Sequence, residues 1–188
     1  MVPEALALRR LKTPQEVSRF LCQAGTGAAD LEEFLRVDSF SYEVRHLGRT
    51  YLARSPDVLV GFFTLSCATV AFRKEGLQVW QQAGIGDIKH AIPGVLLGRL
   101  AVDDRYQGQG VGGALFRWAV RIARGQTARS AGCRFLIIDA YACRREWYER
   151  RGCHVIHAVP PVSAPGDQTV KMCFDLFPPE EPALDLWP

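Results

Sequence analysis

Two almost unbroken apolar runs, residues 95–102 and 133–140, enclose a segment whose apolar residues recur with helical spacing. A continuous apolar run of this length, bounded by polar breaks, is the pattern of a strand covered on both faces. Between the runs, Val111, Ala114, Leu115, Trp118, Ala119 and Ile122 form the single stripe of an amphipathic helix, and Arg117, Arg121 and Arg124 lie off it. Strand, helix and strand at this spacing predict a right-handed crossover between two parallel strands. The first run stops at Asp103-Asp104, and Gly108, Gly110, Gly112 and Gly113 then crowd glycine into the turn that opens the helix.

The rest of the chain arranges itself around this unit. Residues 14–24 carry Val17, Phe20, Leu21 and Ala24 at helical spacing, and Asp30 is placed to cap a second helix over residues 31–40. Residues 51–54 and 58–70 are rich in β-branched and aromatic side chains around Ser55-Pro56-Asp57, which predicts a hairpin. Residues 73–94 are a long, glycine-punctuated connection with one helical turn near 77–82, and residues 125–132 are a polar break. Residues 142–151 read as a short helix supported by Glu146 and Arg150 and ended by Gly152, before strands at 155–158 and 169–176 joined by a loop at 160–167. Strands and helices so mixed predict an α/β (α+β) protein with one domain at residues 30–177. Residues 1–29 are then an N-terminal extension with a short helix, and residues 178–188 a flexible, acidic, proline-rich tail.

Composition narrows the class. With 188 residues and 48% hydrophobic content, the chain can bury one sizeable core. It lacks both a membrane-length apolar run and a signal-peptide pattern, so a cytoplasmic location is expected. The six cysteines stand singly, as buried free thiols do, and no metal site is expected. Net charge is only +3, but eleven arginines and no lysine lie between Arg99 and Arg151. Arginine suits bidentate contact with phosphate, so this half of the chain fits either a polyanion partner or a plain solvated basic surface.

A strand, a glycine turn and a helix N-terminus make an anion site, because first-turn N–H groups lack intrahelical partners and the helix dipole favours negative charge there. Gly112-Gly113-Ala114 lacks the lysine and hydroxyl of a Walker loop. A dinucleotide fingerprint can be laid on Gly108, Gly110 and Gly113 with Asp139 as its acidic residue, a weak match that stays open. The better fit is R-x-x-G-x-G, Arg105 to Gly110, after a strand and opening a helix. This resembles the coenzyme signature of the GNAT N-acetyltransferases. The resemblance implies a mixed central sheet with two splayed parallel strands flanked by helices, and acetyl-CoA as cosubstrate. It also implies a coenzyme-binding set of Leu100, Ala101, Val102, Arg105, Gln107, Gly108, Gln109, Gly110, Val111, Gly112, Gly113 and Ala140, with the backbone N–H groups of Leu100 and Val102 polarising the thioester carbonyl.

In that family a side chain from the short helix after the second parallel strand meets the coenzyme sulfur, and Tyr148 stands where a tyrosine is frequent. A phenol within hydrogen-bond reach can protonate the departing thiolate as general acid. Glu146, Glu149, His154 and His157 are candidates for a base, none with a spacing that selects it. Residues 30–176, above all GRLAVDDRYQGQGVG with Tyr148 downstream, are similar to the acetyltransferase toxins of bacterial toxin–antitoxin pairs, which acetylate the amine of aminoacyl-tRNA. The sequence departs from them at both termini and at Cys153, where a phenylalanine is usual. The likeness implies an aminoacyl-tRNA acceptor and an antitoxin protein as partner; one basic patch is too small for RNA, so a homodimer is expected. The acceptor would be met by arginines drawn from Arg117, Arg121, Arg124, Arg129, Arg134, Arg144, Arg145, Arg150 and Arg151. A small-molecule or protein N-terminal acetyltransferase and a non-catalytic CoA-binding module are the alternatives.

Overall fold

The computed structural model describes residues 6–17, 19–56, 58–70, 77–88, 90–158 and 169–179, with only the backbone described at Leu77, Gln126, His157 and Ala158. The strands are β1 (Ala7–Arg10), β2 (Arg49–Ser55), β3 (Val58–Val70), β4 (Ile92–Val102), β5 (Phe135–Tyr141), β6 (His154–Ala158) and β7 (Thr169–Asp175). The helices are α1 (Ala28–Glu33), α2 (Ser39–Val44), α3 (Leu77–Gln82), α4 (Val111–Ile122), α5 (Ala128–Ser130) and α6 (Arg145–Glu149). One mixed sheet runs in the order β1-β2-β3-β4-β5-β7-β6, with β4 and β5 the parallel pair. β1–β2, β2–β3, β5–β7 and β6–β7 are antiparallel. An antiparallel β7 beside β5 is foreign to a doubly wound dinucleotide fold. Asp139 there pairs with Lys171 across the ladder at 2.7 Å, which removes the acidic residue that reading needed.

The chain forms two compact units, one from Met1–Ser66 with Leu97–Ala119 and the other from Cys67–Leu96 with Val120–Pro188. In the first, Leu11, Val17, Phe20, Leu35, Leu52, Phe62 and Ala101 share one core, and Phe20 meets Phe62 edge-on with centroids 5.4 Å apart. Burying one such ring contributes about 2–3 kcal/mol. The Glu43 carboxylate accepts hydrogen bonds from Arg10, Arg49 and the Thr50 N–H, which fastens β1 and α2 to β2. In the second unit, Val70, Trp80, Ile92, Phe135, Ile137 and Ile156 form the core, and Trp80 of α3 meets Phe135 of β5 at 5.2 Å.

Several boundaries differ from the sequence reading. The described residues of 14–24 hold a 3-10 turn, Pro14–Val17, where the spacing predicts a helix, and Ala7–Arg10 pairs with Arg54 to Tyr51 of β2. Asp30 is not the cap: the helix starts at Ala28 behind Gly27, whose φ is 72°, and continues past Phe40 to Val44 through a π turn at Phe34–Asp38. The polar break at 125–132 is mostly helical too, since α4 passes through a π turn at Ala123–Thr127 into α5. Gly125 costs that turn about 1 kcal/mol, which the burial of Ala123 offsets. β4 begins at Ile92 and takes in Pro93, tolerable near a strand start, where its carbonyl accepts the Arg134 N–H at 2.9 Å. β5 is buried at five of seven positions, whereas β4 opens from Gly98 onward, leaving Leu100 and Val102 half-buried on the face opposite Ala101. The loop at 160–167 and most of the tail lie outside the described residues.

No helix among the described residues is long and apolar enough to cross a membrane. Cys22, Cys133, Cys153 and Cys173 are buried free thiols, Cys67 and Cys143 are exposed, and no group of metal-ligating side chains occurs among the described residues. Burial pushes the Cys153 and Cys173 thiols up to about 12. The fold therefore keeps both protonated after the unfolded chain has begun to ionise near the ordinary thiol value of 9.0. Their contribution to stability is complete below that value and is lost as pH rises toward about 12. The urea midpoint is expected to be level from pH 7 to about 8 and to fall steadily through pH 9 to 11. A midpoint flat to pH 11 would contradict it.

Candidate active site

Strand β4 ends at Val102 because Asp103 turns the chain. Its N–H still donates to Val60 O at 3.0 Å, but its wholly enclosed side chain folds back to accept Arg105 N–H at 3.1 Å. A short 3-10 turn, Asp104–Tyr106, follows, then Gly108 and Gly110 with φ of 72° and 83°, a region that side chains with a Cβ rarely enter. A Cβ built on Gly108 would meet nothing within 4 Å, so this part of the turn faces open space. Gln109 Nε2 donates to Arg105 O at 2.9 Å, and Gln107 Nε2 to Asp104 Oδ1 at 2.8 Å and Val102 O at 3.3 Å. Both glutamines thus brace the turn's own backbone.

Ala114 N–H donates to Gly110 O at 3.2 Å as α4 begins, which leaves the N–H groups of Val111, Gly112 and Gly113 ahead of the helical ladder. N–H groups so placed at the positive end of a helix dipole are an arrangement that favours an anion. The helix is held down by buried Val111, Ala114, Leu115, Phe116 and Ala119; Phe116 widens the buried arc beyond the stripe read from sequence, and Trp118 is only half-buried.

Asp103, Asp104 and Arg105 do more than sequence showed. The Arg105 guanidinium grips Asp103 with Nε to Oδ1 and Nη2 to Oδ2, both 2.8 Å, and Nη2 also reaches Arg19 O at 3.3 Å. Burial pushes the Asp103 carboxyl up, but the Arg105 side chain and the Leu21 and Arg105 N–H groups outweigh it and hold the acid below its ordinary value. Asp104 accepts from Gln23 N–H at 2.9 Å and Ala24 N–H at 3.4 Å. Adjacent acids at the end of an apolar strand were the only sequence signal, and their remote partners gave none.

In the other unit, Ala140 is buried near the end of β5, and the chain passes through a 3-10 turn, Ala142–Arg144, into α6. Tyr148 is 9% exposed and meets Trp147 edge-on with centroids 4.8 Å apart. Its carbonyl accepts from Arg151 N–H at 2.9 Å and Cys153 N–H at 3.2 Å, and Gly152 with φ 82° closes the helix. Burial raises the phenol above its ordinary value, Cys153 adds to the rise, and the Arg144 and Arg151 charges oppose it. The phenol is therefore protonated at physiological pH and is placed to give up a proton rather than to act as a base.

The base candidates fare differently. Glu149 pairs with Arg145 at 2.7 Å and Glu146 with Arg150 at 3.6 Å, His154 is exposed, and the side chain of His157 lies outside the described residues. Among the arginines, Arg134 is taken up by Asp175 at 2.8 Å and Ala83 O at 2.9 Å, and Arg151 lies over Trp147 at 3.5 Å. Arg124, expected beside Arg117 and Arg121 on an exposed side, falls in the π turn and is half-buried, 6.0 Å from the Phe177 ring. Arg117, Arg121, Arg129 and Arg144 are exposed.

Known proteins resemble the chain in both sequence and fold. The family described as acetyltransferase (GNAT) domain matches residues 47–152, a stretch that includes both the glycine turn and Tyr148. The tRNA-acetylating toxin of Mycobacterium tuberculosis (strain ATCC 25618 / H37Rv) is 29% identical over 134 residues, 71% of this chain and 75% of the relative. Among solved structures, AtaT complexed with acetyl-methionyl-tRNAfMet has a TM-score of 0.67 at 22% identity, covering 93% of this chain and 95% of its own. A mutant of KacT has a TM-score of 0.71 at 22% identity, with coverage of 92% and 96%. At that identity the two structures speak for the fold.

Proposed function

Because the chain belongs to the GNAT acetyltransferases, we propose that it moves an acetyl group from acetyl-CoA to the α-amine of an aminoacyl-tRNA. The coenzyme reading is carried by the turn from Arg105 to Gly113, with its left-handed glycines, open space over Gly108 and a helix N-terminus behind them. These residues fit a diphosphate: the N–H groups of Val111, Gly112 and Gly113 can donate to it, and the fully buried Asp103 carboxylate is already neutralised by Arg105. Acetyl-CoA, when bound, supplies an activated thioester carbonyl and a sulfur that departs as thiolate.

The chain's own residues then have simple tasks. Asp103 N–H donates to Val60 of β3, so by strand alternation the N–H groups of Leu100 and Val102 point to the other edge of β4, and these are the ones to polarise the carbonyl oxygen. Tyr148 Oη holds the proton for the sulfur. With Glu146 and Glu149 engaged by arginines, the proposal needs no carboxylate base. The α-amino group of an aminoacyl ester is deprotonated at much lower pH than lysine, so it can attack as the free amine; the proton its nitrogen sheds on becoming an amide passes to water, and the Tyr148 phenolate regains a proton from solvent.

The tRNA acceptor is supported by the kinship with a tRNA-acetylating toxin and by the exposed guanidiniums of Arg117, Arg121, Arg129 and Arg144, which suit a phosphate backbone read without sequence. A homodimer would join two such surfaces, and an antitoxin protein would be the natural regulator in the cytoplasm where charged tRNA resides. Incubation with labelled acetyl-CoA is expected to label charged but not uncharged tRNA. Affinity for tRNA should fall with salt at a log–log slope of about −0.7 to −0.9 per phosphate contact, a slope that a triple Arg117, Arg121 and Arg129→Ala variant flattens by about three contacts. Equal labelling of free amino acids or peptides, or affinity indifferent to salt, would instead indicate a general amine acetyltransferase.

A further inference from the structure

We propose that Asp103 is a positioning residue for coenzyme binding: its buried carboxylate ties Arg105 and Leu21 to the glycine turn and so presets the backbone N–H groups that receive the diphosphate. The inference rests on the reading that this turn holds acetyl-CoA. The side chain is wholly enclosed and accepts four hydrogen bonds, from Leu21 N–H at 3.1 Å, Arg105 N–H at 3.1 Å, Arg105 Nε at 2.8 Å and Arg105 Nη2 at 2.8 Å. A carboxylate offers about four acceptor sites, so Asp103 is saturated within the protein and touches no ligand.

Its neighbour repeats the arrangement. Asp104 N–H donates to Leu21 O at 2.9 Å, while its carboxylate accepts the N–H groups of Gln23 and Ala24 and the Gln107 side chain. The residues entering the turn are thus fixed by Val60 of β3, by residues 21–24 and by Arg105 before any ligand arrives. Ligand groups bind more tightly to donors that need no ordering.

Charge gives the pair a second reason to exist. A buried carboxylate beside an anion site would repel the diphosphate, and Arg105 cancels it through two parallel hydrogen bonds. Asp103→Asn keeps the shape but loosens the grip on Arg105. Arg105→Gln leaves the carboxylate without its cation. Because both changes break one unit, the double variant should bind no worse than the weaker single variant.

The experiment uses the full chain, with acetyl-CoA titrated calorimetrically, steady-state kinetics and melting temperature measured for wild type, Asp103→Asn, Arg105→Gln, the double variant and Gln23→Pro. Folded Asp103→Asn is expected to raise Kd and KM for acetyl-CoA about tenfold or more while kcat stays within about threefold, a split that mere loss of stability does not produce. Gln23→Pro, at an exposed residue, removes one N–H to Asp104 and should raise KM by about two- to fivefold. Unchanged KM in folded Asp103→Asn, or a fall in kcat alone, overturns the proposal. If Asp103→Asn does not fold, wild-type KM in both Arg105→Gln and Gln23→Pro overturns it equally. A wild-type chain that binds no acetyl-CoA would refute the coenzyme reading itself, an outcome distinct from variants that bind as the wild type does.

Discussion

Replacing Gly108 with valine is expected to abolish acetyl-CoA binding in a chain that still folds. The residue sits at φ 72° in open space, so the new side chain meets no protein atom within 4 Å and its internal cost is the left-handed backbone alone. That cost is about 1–2 kcal/mol, small against the 5–15 kcal/mol of a typical domain. The space the side chain enters is where a diphosphate would approach the N–H groups at the start of α4. Calorimetry should show acetyl-CoA affinity reduced about a hundredfold or more, with melting temperature down by a few degrees only. Gly110→Val, at φ 83°, should do the same, with some further loss because Gly110 O accepts the first hydrogen bond of the helix. Undiminished affinity in a folded Gly108→Val protein would place the coenzyme elsewhere.

Tyr148→Phe is expected to lower kcat by a factor of about 10² to 10⁴, the range for a lost general acid, and to leave acetyl-CoA affinity within about threefold. The ring is retained, so its edge-on contact with Trp147 and the two hydrogen bonds to its carbonyl persist. A phenol raised by burial is a weaker acid than the thiol it would serve in water. The same dry site also raises the basicity of a thiolate, which keeps the transfer feasible. The sign for pH follows: the protonated form is the active one, and the raised value keeps it populated, so wild-type kcat should still hold at about pH 10, where an ordinary phenol is half ionised. Wild-type kcat in the variant, or an alkaline loss of activity well below pH 10 that survives in Tyr148→Phe, would assign the proton to another group.

The parts of this protein that depend on neighbours in the chain were legible before folding. The apolar runs of β4 and β5, the stripe of α4 and the glycine turn between them each follow from side-chain periodicity or from the backbone freedom that Gly108 and Gly110 alone provide. The short helix bearing Tyr148 was equally plain, since Glu146 and Arg150 lie one turn apart and Gly152 ends it. Resemblance added what periodicity could not, namely which anion the turn suits.

What sequence could not show depends on partners that only folding brings together. Ala7–Arg10 has neither alternation nor strong strand-forming residues, and it is a strand because the edge of β2 offers it a backbone ladder. Gly125 would break an isolated helix, yet the helix passes through it where buried Ala123 anchors the turn. Arg134 and Arg124 looked like surface charge until Asp175 and Phe177 came alongside. Asp103 and Arg105 illustrate the division most sharply. Resemblance puts Arg105 in the coenzyme-binding set, and the fold adds that its guanidinium is held by a carboxylate that also captures Leu21 N–H, more than eighty residues away. The local sequence determined a glycine turn at the head of a helix; tertiary structure decided what holds that turn in place, because a buried charge must find its donors wherever the folded chain supplies them.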